Sequence, residues 1–370
     1  MTRVLLVEGF SRALVYFRPP LIRSLQRAGH EVTVATCLES DDGVADAMAA
    51  MGVPCEHLPI IRNRIRVFGD LVLLWKLWRL IRRTQPEVLL TWTIKPNLYG
   101  PIAGRLARVP RIGIVVCGLG RVLLGSGLAS WIGWRGLRFS AARCDCVVAQ
   151  NPDDYESMRQ HGVITARTNA IRTAGCGVDL NEFSMEPLPA QPVVLMLGRL
   201  LASKGVYEYI EAAAIVRRRR PDVRFELAGL LETGNDAVPE ACIQEAAARS
   251  DIEYLGFLED QDLVRAAIRR SCLYVLPSWH EGTPHSTLEA MAMGRPIVTT
   301  DVRGCRETVQ DGINGHLTPR GDAQALADAI LKMLADPERL VVMGAESRKL
   351  AETVFDARIV AQTLMQEMHL

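Results

Sequence analysis

The chain has 370 residues, 49% hydrophobic and 23% charged, which is the composition of a globular protein of two or three domains and excludes a disordered tract. Its 43 Lys and Arg against 42 Asp and Glu leave a net charge of +1, which excludes a protein that binds nucleic acid through its overall charge. The balance hides a split: residues 1–190 hold 23 basic against 16 acidic side chains, and the remainder 20 against 26. A basic first half calls for an anionic partner, either a phosphate-bearing substrate or a lipid head-group surface.

Residues 4–7 form an apolar run that ends at Glu8-Gly9 and read as a buried strand entering a glycine turn. The run starts so close to Met1 that no signal peptide is expected. Pro19 and Pro20 open a helix over 21–28, stopped by Gly29, and a strand follows over 31–36. This β-α-β spacing predicts a parallel sheet, continued by strands at 88–91, 112–117 and 146–149. After the proline-rich stretch at 184–192 the pattern restarts, with strands at 193–197, 223–227, 252–254, 273–276 and 297–299 and a helix over 205–220. The expectation is an α/β protein of two Rossmann-like, doubly wound domains, 1–183 and 192–350. A last helix, 351–370, would cross back to the first domain. Ligands of such sheets bind outside the carboxyl ends of the strands, here in a cleft between the two domains.

Two segments of the first half mix tryptophan with arginine. Residues 71–83 place Leu71, Leu74, Trp75, Trp78 and Ile81 at helical spacing, with Lys76, Arg79, Arg82 and Arg83 off that stripe and Arg62, Arg64 and Arg66 before it. Residues 121–143 combine Leu123, Leu124, Trp131, Ile132 and Trp134 with Arg121, Arg135, Arg138 and Arg143. Four of the six tryptophans lie in these segments. Such a pattern suits an interfacial helix on a membrane, and peripheral contact is expected over about 62–83 and 121–143. The alternative is a core-facing helix with a solvated basic face. No apolar run reaches the ~18–20 residues of a membrane span.

The strongest chemical signal is Glu281-Gly-Thr-Pro-His-Ser-Thr-Leu-Glu289, after a strand and leading into a helix over 287–293. Gly282 permits close approach of the backbone to a ligand. Residues 284–287 sit at a helix start, where unpaired amides and the positive dipole end suit a phosphate. Two carboxylates, Glu281 and Glu289, flank that phosphate site. A second signal, Gly198-Arg199 to Lys204-Gly205, places a guanidinium fork and an ammonium at the end of the first strand of the second domain.

Other patterns carry less. Asp260-Gln261-Asp262 spells a metal-binding triplet but opens a helix and reads as a cap. The seven histidines form no HxxxH or HExxH pattern, so no metal site is expected. Nine cysteines without a CxxC pair read as reduced thiols of a cytoplasmic protein, and Cys144 and Cys146 as small buried hydrophobes. Arg217 to Arg220 close a helix, and nucleic-acid contact is not expected.

The stretches 193–206, 227–229, 254–257, 274–307 and 311–317 together resemble the family 4 retaining glycosyltransferases of the GT-B fold, of which the Glu-x7-Glu pattern is a hallmark. Within the family the chain looks most like bacterial enzymes that add a hexose or N-acetylhexosamine to an undecaprenyl-diphosphate-linked sugar. Residues 16–25 and 118–120 support that subgroup. The resemblance implies a nucleotide sugar, UDP-linked, as co-substrate and no cofactor. It implies that Arg199 and Lys204 bind the diphosphate, with Ser286, Thr287 and Leu288 offering it backbone amides. Glu281 with Gly282, Thr283, Pro284 and His285 would face the donor sugar, and Glu289 would accept the ribose hydroxyls. Gly229, Leu255 and Phe257 would flank the base, and Gly9 would allow donor and acceptor to approach.

Many relatives carry a histidine after the strand that ends here at Cys117. This chain has Cys117-Gly118-Leu119-Gly120, which fits a mechanism with no enzyme nucleophile. The acceptor is expected at Gly9, Arg12, Arg18, Lys95 and Gly118, although each cation could equally be an ordinary surface charge. The expected enzyme is cytoplasmic and peripheral on the inner face of the membrane. A transferase acting on a soluble glycan and a UDP-sugar epimerase of the same architecture are the alternatives.

Overall fold

A computed structural model of the chain describes residues 1–38, 43–61 and 67–370. It divides into two compact units, Met1–Gly177 with Ala357–Leu370, and Val178–Asp356. These boundaries differ from the 183 and 351 read off the sequence, and two arginines, one buried and one partly buried, explain the first. Fully buried Arg295 donates to the carbonyls of Pro187 and Glu186, both at 3.0 Å, and Arg348 donates to that of Phe183 at 2.9 Å. The segment before the prolines is therefore pinned to the second unit. Burial lowers the pKa of Arg295 to about 10.

The first unit is a seven-stranded parallel sheet of β1 (Arg3–Glu8), β2 (Glu31–Thr36), β3 (Cys55–His57), β4 (Val88–Trp92), β5 (Arg111–Val116), β6 (Cys146–Ala149) and β7 (Ala170–Arg172), in the order β3-β2-β1-β4-β5-β6-β7. Helices cover both faces, so the central strands are continuous apolar runs and not alternating ones. On one face Leu6, Leu90 and Val148 pack with Leu25 of the helix Pro19–Arg27 and with Leu364 and Met368 at the chain's end. On the other, Leu5, Leu89 and Ile112 pack with Leu73, Leu77 and Ile81 of the helix Val67–Thr84. The last helix, Ala357–Glu367, thus completes a core begun more than three hundred residues earlier.

The second unit is a six-stranded parallel sheet of β8 (Val193–Leu197), β9 (Arg224–Ala228), β10 (Glu253–Tyr254), β11 (Leu273–Leu276), β12 (Ile297–Thr300) and β13 (Gly315–Thr318), in the order β10-β9-β8-β11-β12-β13. In each sheet the strand order reverses once, between β1 and β4 and between β8 and β11. At such a switch point the loops after the two strands diverge and leave a crevice.

Replacing Leu364 by Ala removes a side chain from the core of the first unit and is expected to cost about 2–5 kcal/mol. A urea titration should show the first unit's midpoint falling while the second unit's stays in place.

Candidate active site

β8 ends at Leu197 and is followed by Gly198, Arg199 and a 3₁₀ turn, Ala202–Lys204. Gly205 then takes φ +77, and a Cβ there would run into the Pro277 carbonyl. This close approach sets Lys204 beside the exit of β11. Its ammonium makes an ion pair with Glu281, whose side chain is one-tenth exposed. The Ser278 hydroxyl donates to the same carboxylate oxygen, Oε1, at 2.6 Å, and Thr300 Oγ1 in turn donates to the Ser278 carbonyl. The Glu281 amide donates to the carbonyl of Arg303 at 3.0 Å. One carboxylate thus gathers side chains from two loops.

The following helix runs His285–Ala292, two residues earlier than the sequence suggests. Its first bonds correct the expected amide donors: Thr287 and Leu288 both donate to the Pro284 carbonyl, at 3.1 and 3.3 Å. The first turn consumes them, because Pro284 is the N-cap. The Ser286 amide has no acceptor among the described residues. The Ser286 hydroxyl donates to the Leu197 carbonyl at 3.1 Å and accepts from Tyr274 at 2.7 Å, which fastens the helix start to the end of β8. Burial raises the pKa of the Tyr274 phenol and keeps it a donor.

Buried Glu289 has Oε1 2.9 Å from His285 Nδ1. Gly229 lies so close to Gly198 that a Cβ would meet its carbonyl, and the Gly229 carbonyl accepts from Tyr254 at 2.9 Å. The half-buried Leu255 and Phe257 follow. Arg199 is half exposed and, among the described residues, its side chain pairs with Glu232 at 3.4 Å. Asp260 caps the helix Gln261–Arg270 by accepting from the Asp262 amide, as its position predicts. Ser278, Tyr274 and Thr300 escaped the sequence reading. Tyr274 looks like any apolar strand residue, and only the Pro-Ser step before Glu281 hinted at Ser278.

At the switch point of the first unit, Glu8 Oε1 accepts from the amides of Gly9 and Phe10, and Oε2 from Arg18 at 2.9 Å. Arg18 stacks over Trp92 and reaches Cys117 Sγ at 3.7 Å. Burial works against the Arg18 charge, but Glu8, Cys117 and Cys176 together outweigh it and raise the pKa. Burial likewise pushes the Cys117 thiol up to about 12, against the pull of Arg18. Gly9 lies against Thr93, a β-branched residue held at φ +67. Lys95 is buried and paired with Asp70 at 2.6 Å. The alternative of ordinary surface charges is therefore wrong for both Arg18 and Lys95, each of which has its own carboxylate inside the fold. Arg12 is half-buried at the start of the helix Ala13–Tyr16, and Gly118 takes φ +111.

The tryptophan-rich segments are helical, and each presents two apolar faces. In Val67–Thr84, Leu73, Leu77, Leu80 and Ile81 are buried, whereas Phe68, Leu71, Val72, Trp75 and Trp78 are exposed. Ile81 thus belongs to the core and not to the exposed stripe. In the helix Leu128–Ala141, Trp134 is buried, as is Leu123 before it. Leu128, Trp131, Ile132 and Phe139 are exposed. Arg79 lies over Trp75 and Arg135 over Trp131. Arg62, Arg64 and Arg66 fall outside the described residues, as does the side chain of Arg121. Among the described residues no helix is long and apolar enough to cross a membrane.

The family profile "Glycosyl transferases group 1" matches residues 191–336, and "Glycosyl transferase 4-like domain" matches residues 19–174. The chain belongs to this glycosyltransferase family. It is 24% identical to the N,N'-diacetylbacillosaminyl-diphospho-undecaprenol alpha-1,3-N-acetylgalactosaminyltransferase of Campylobacter jejuni, over 96% of this chain and 95% of that one. It is 37% identical to the alpha-D-kanosaminyltransferase of Streptomyces kanamyceticus, over 41% of this chain and 38% of that one. The glycosyltransferase also superposes on Anabaena HepE in complex with UDP and glucose with a TM-score of 0.79, at 19% identity and with both chains fully covered. The fold is GT-B.

Arg18→Met would strand Glu8 as a buried charge, and is expected to destabilise the first unit by about 3–5 kcal/mol. Thermal unfolding of the variant would measure it.

Proposed function

We propose that this glycosyltransferase moves a hexose or N-acetylhexosamine, N-acetylgalactosamine foremost, from a UDP-sugar to a polyprenyl-diphosphate-linked sugar. The reaction retains the anomeric configuration and uses neither metal nor cofactor. The observation that carries this reading is the group of Lys204, Arg199 and the Ser286 amide at one switch point, beside Glu281. The printed activity of the Campylobacter relative supports the acceptor, and the UDP complex of HepE supports the donor.

On this reading Lys204 exchanges its carboxylate partner for phosphate oxygens when the donor enters, and Arg199 leaves its weak contact with Glu232 to do the same. Glu281, freed of the ammonium and still held by Ser278, turns with Gly282, Thr283, Pro284 and His285 to the donor sugar. Glu289 takes the ribose hydroxyls, and Gly229, Leu255 and Phe257 border the base. The bond between the anomeric carbon and the phosphate oxygen breaks. The acceptor hydroxyl bonds to the same face of that carbon, and its proton passes to the departing phosphate. Charge grows on that phosphate, and two fixed cations stabilise it.

Gly9, Arg12 and Gly118 meet the acceptor, while Arg18 and Lys95 shape the loops around it from below. The exposed apolar faces with their arginines rest on the inner face of the cytoplasmic membrane, where such an acceptor is held.

Release of UDP from a UDP-sugar should require a polyprenyl-diphosphate-sugar, and NMR of the product should show the donor's anomeric configuration. Release without the lipid would favour a soluble acceptor or an epimerase. Lys204→Ala is expected to lower kcat about 10²–10³-fold, the loss typical of one transition-state donor. The double variant Trp75→Ala, Trp78→Ala should float poorly with anionic vesicles and bind UDP as the parent does. Equal flotation would refute the membrane contact.

A further inference from the structure

Between the helices Val67–Thr84 and Ile94–Leu106 lies a groove of about 470 Å³ lined, among the described residues, by Leu71, Leu74, Trp75, Trp78 and Leu106. That volume is in the range of small-molecule sites. We propose that it seats the hydrocarbon chain of the acceptor's isoprenoid diphosphate. The inference rests on the acceptor class proposed above and assigns the chain-binding residues.

Three observations support it. The groove is an open recess whose rim, Trp75 and Trp78, also belongs to the membrane-facing side, while Phe68, 86% exposed on the same helix, projects beside it. A recess against a bilayer leaves a void unless a chain leaves the bilayer to fill it. Its walls are two indoles and three leucines, predominantly apolar and without a charged side chain, which selects a hydrocarbon over a sugar or a peptide. Its surroundings are cationic. The helix Val67–Thr84 carries Lys76, Arg79 and Arg82, with Arg83 paired to Glu56, and its single acid, Asp70, is buried against Lys95. An anionic head joined to an apolar tail matches both features, and a neutral lipid matches only one.

The test compares two acceptors in vesicle-free buffer: the same sugar diphosphate carrying a farnesyl chain or a methyl group. The farnesyl acceptor should have a KM at least about tenfold lower, since each buried methylene contributes about 0.8 kcal/mol. Leu106 is 65% exposed, so Leu106→Glu should fold, and should raise the farnesyl KM to that of the methyl acceptor. Leu106→Met should keep the preference. Equal KM for the two acceptors, or a farnesyl KM untouched by Leu106→Glu, would overturn the groove while transfer itself upholds the acceptor class. Transfer to neither, with transfer to a soluble glycan, would overturn both.

Discussion

The Glu281 carboxylate is the point on which the second unit's loops converge. Lys204 reaches it from the turn after β8 and Ser278 from the loop after β11, and Thr300 at the end of β12 bonds to Ser278 from beneath. A partly buried ion pair of this kind is costly unless its remaining hydrogen bonds are made, and here the serine makes one of them. The arrangement therefore fixes the relative height of three strand ends. It also holds the Lys204 ammonium at the switch point, between the exits of β8 and β11. The Ser286 hydroxyl adds the fourth fixed point by fastening the helix start to Leu197.

The α/β alternation was legible because both faces of each sheet are covered, so the inner strands are unbroken apolar runs such as VVLML and LYVL. The edge strands β3, β7 and β13 were not, since CEH, AIR and GHLT hold no such run and are set by pairing alone. The donor-side residues stood out because they cluster within two short stretches. The cations of the first unit could be listed but not interpreted. The partner of Arg18 lies ten residues back and that of Lys95 twenty-five, distances over which the chain carries no periodic signal. The amide donors of the helix at 285 were misplaced for a similar reason, since a start at Thr-Pro-His-Ser is indistinguishable from a loop until the N-cap is seen.

The helix Val67–Thr84 illustrates a further limit. Apolar residues occupy two of its sides, so its periodicity is compatible with either side facing the core. Leu73, Leu77 and Ile81 take the core, and the tryptophans are left outside. With one apolar side on the core, the other has no protein partner among the described residues, and this surplus separates the segment from an ordinary crossover helix.

The discontinuous first unit has a consequence for synthesis. Ala361, Leu364 and Met368 belong to the core around Leu6 and Leu90, yet they leave the ribosome only after the whole second unit. Until then the amino-terminal sheet carries an uncovered apolar strip, while the second unit, continuous in sequence, can close on its own. A nascent chain stalled before 357 would expose that strip to chaperones, and a clipped carboxyl terminus would mark the finished protein for the same fate.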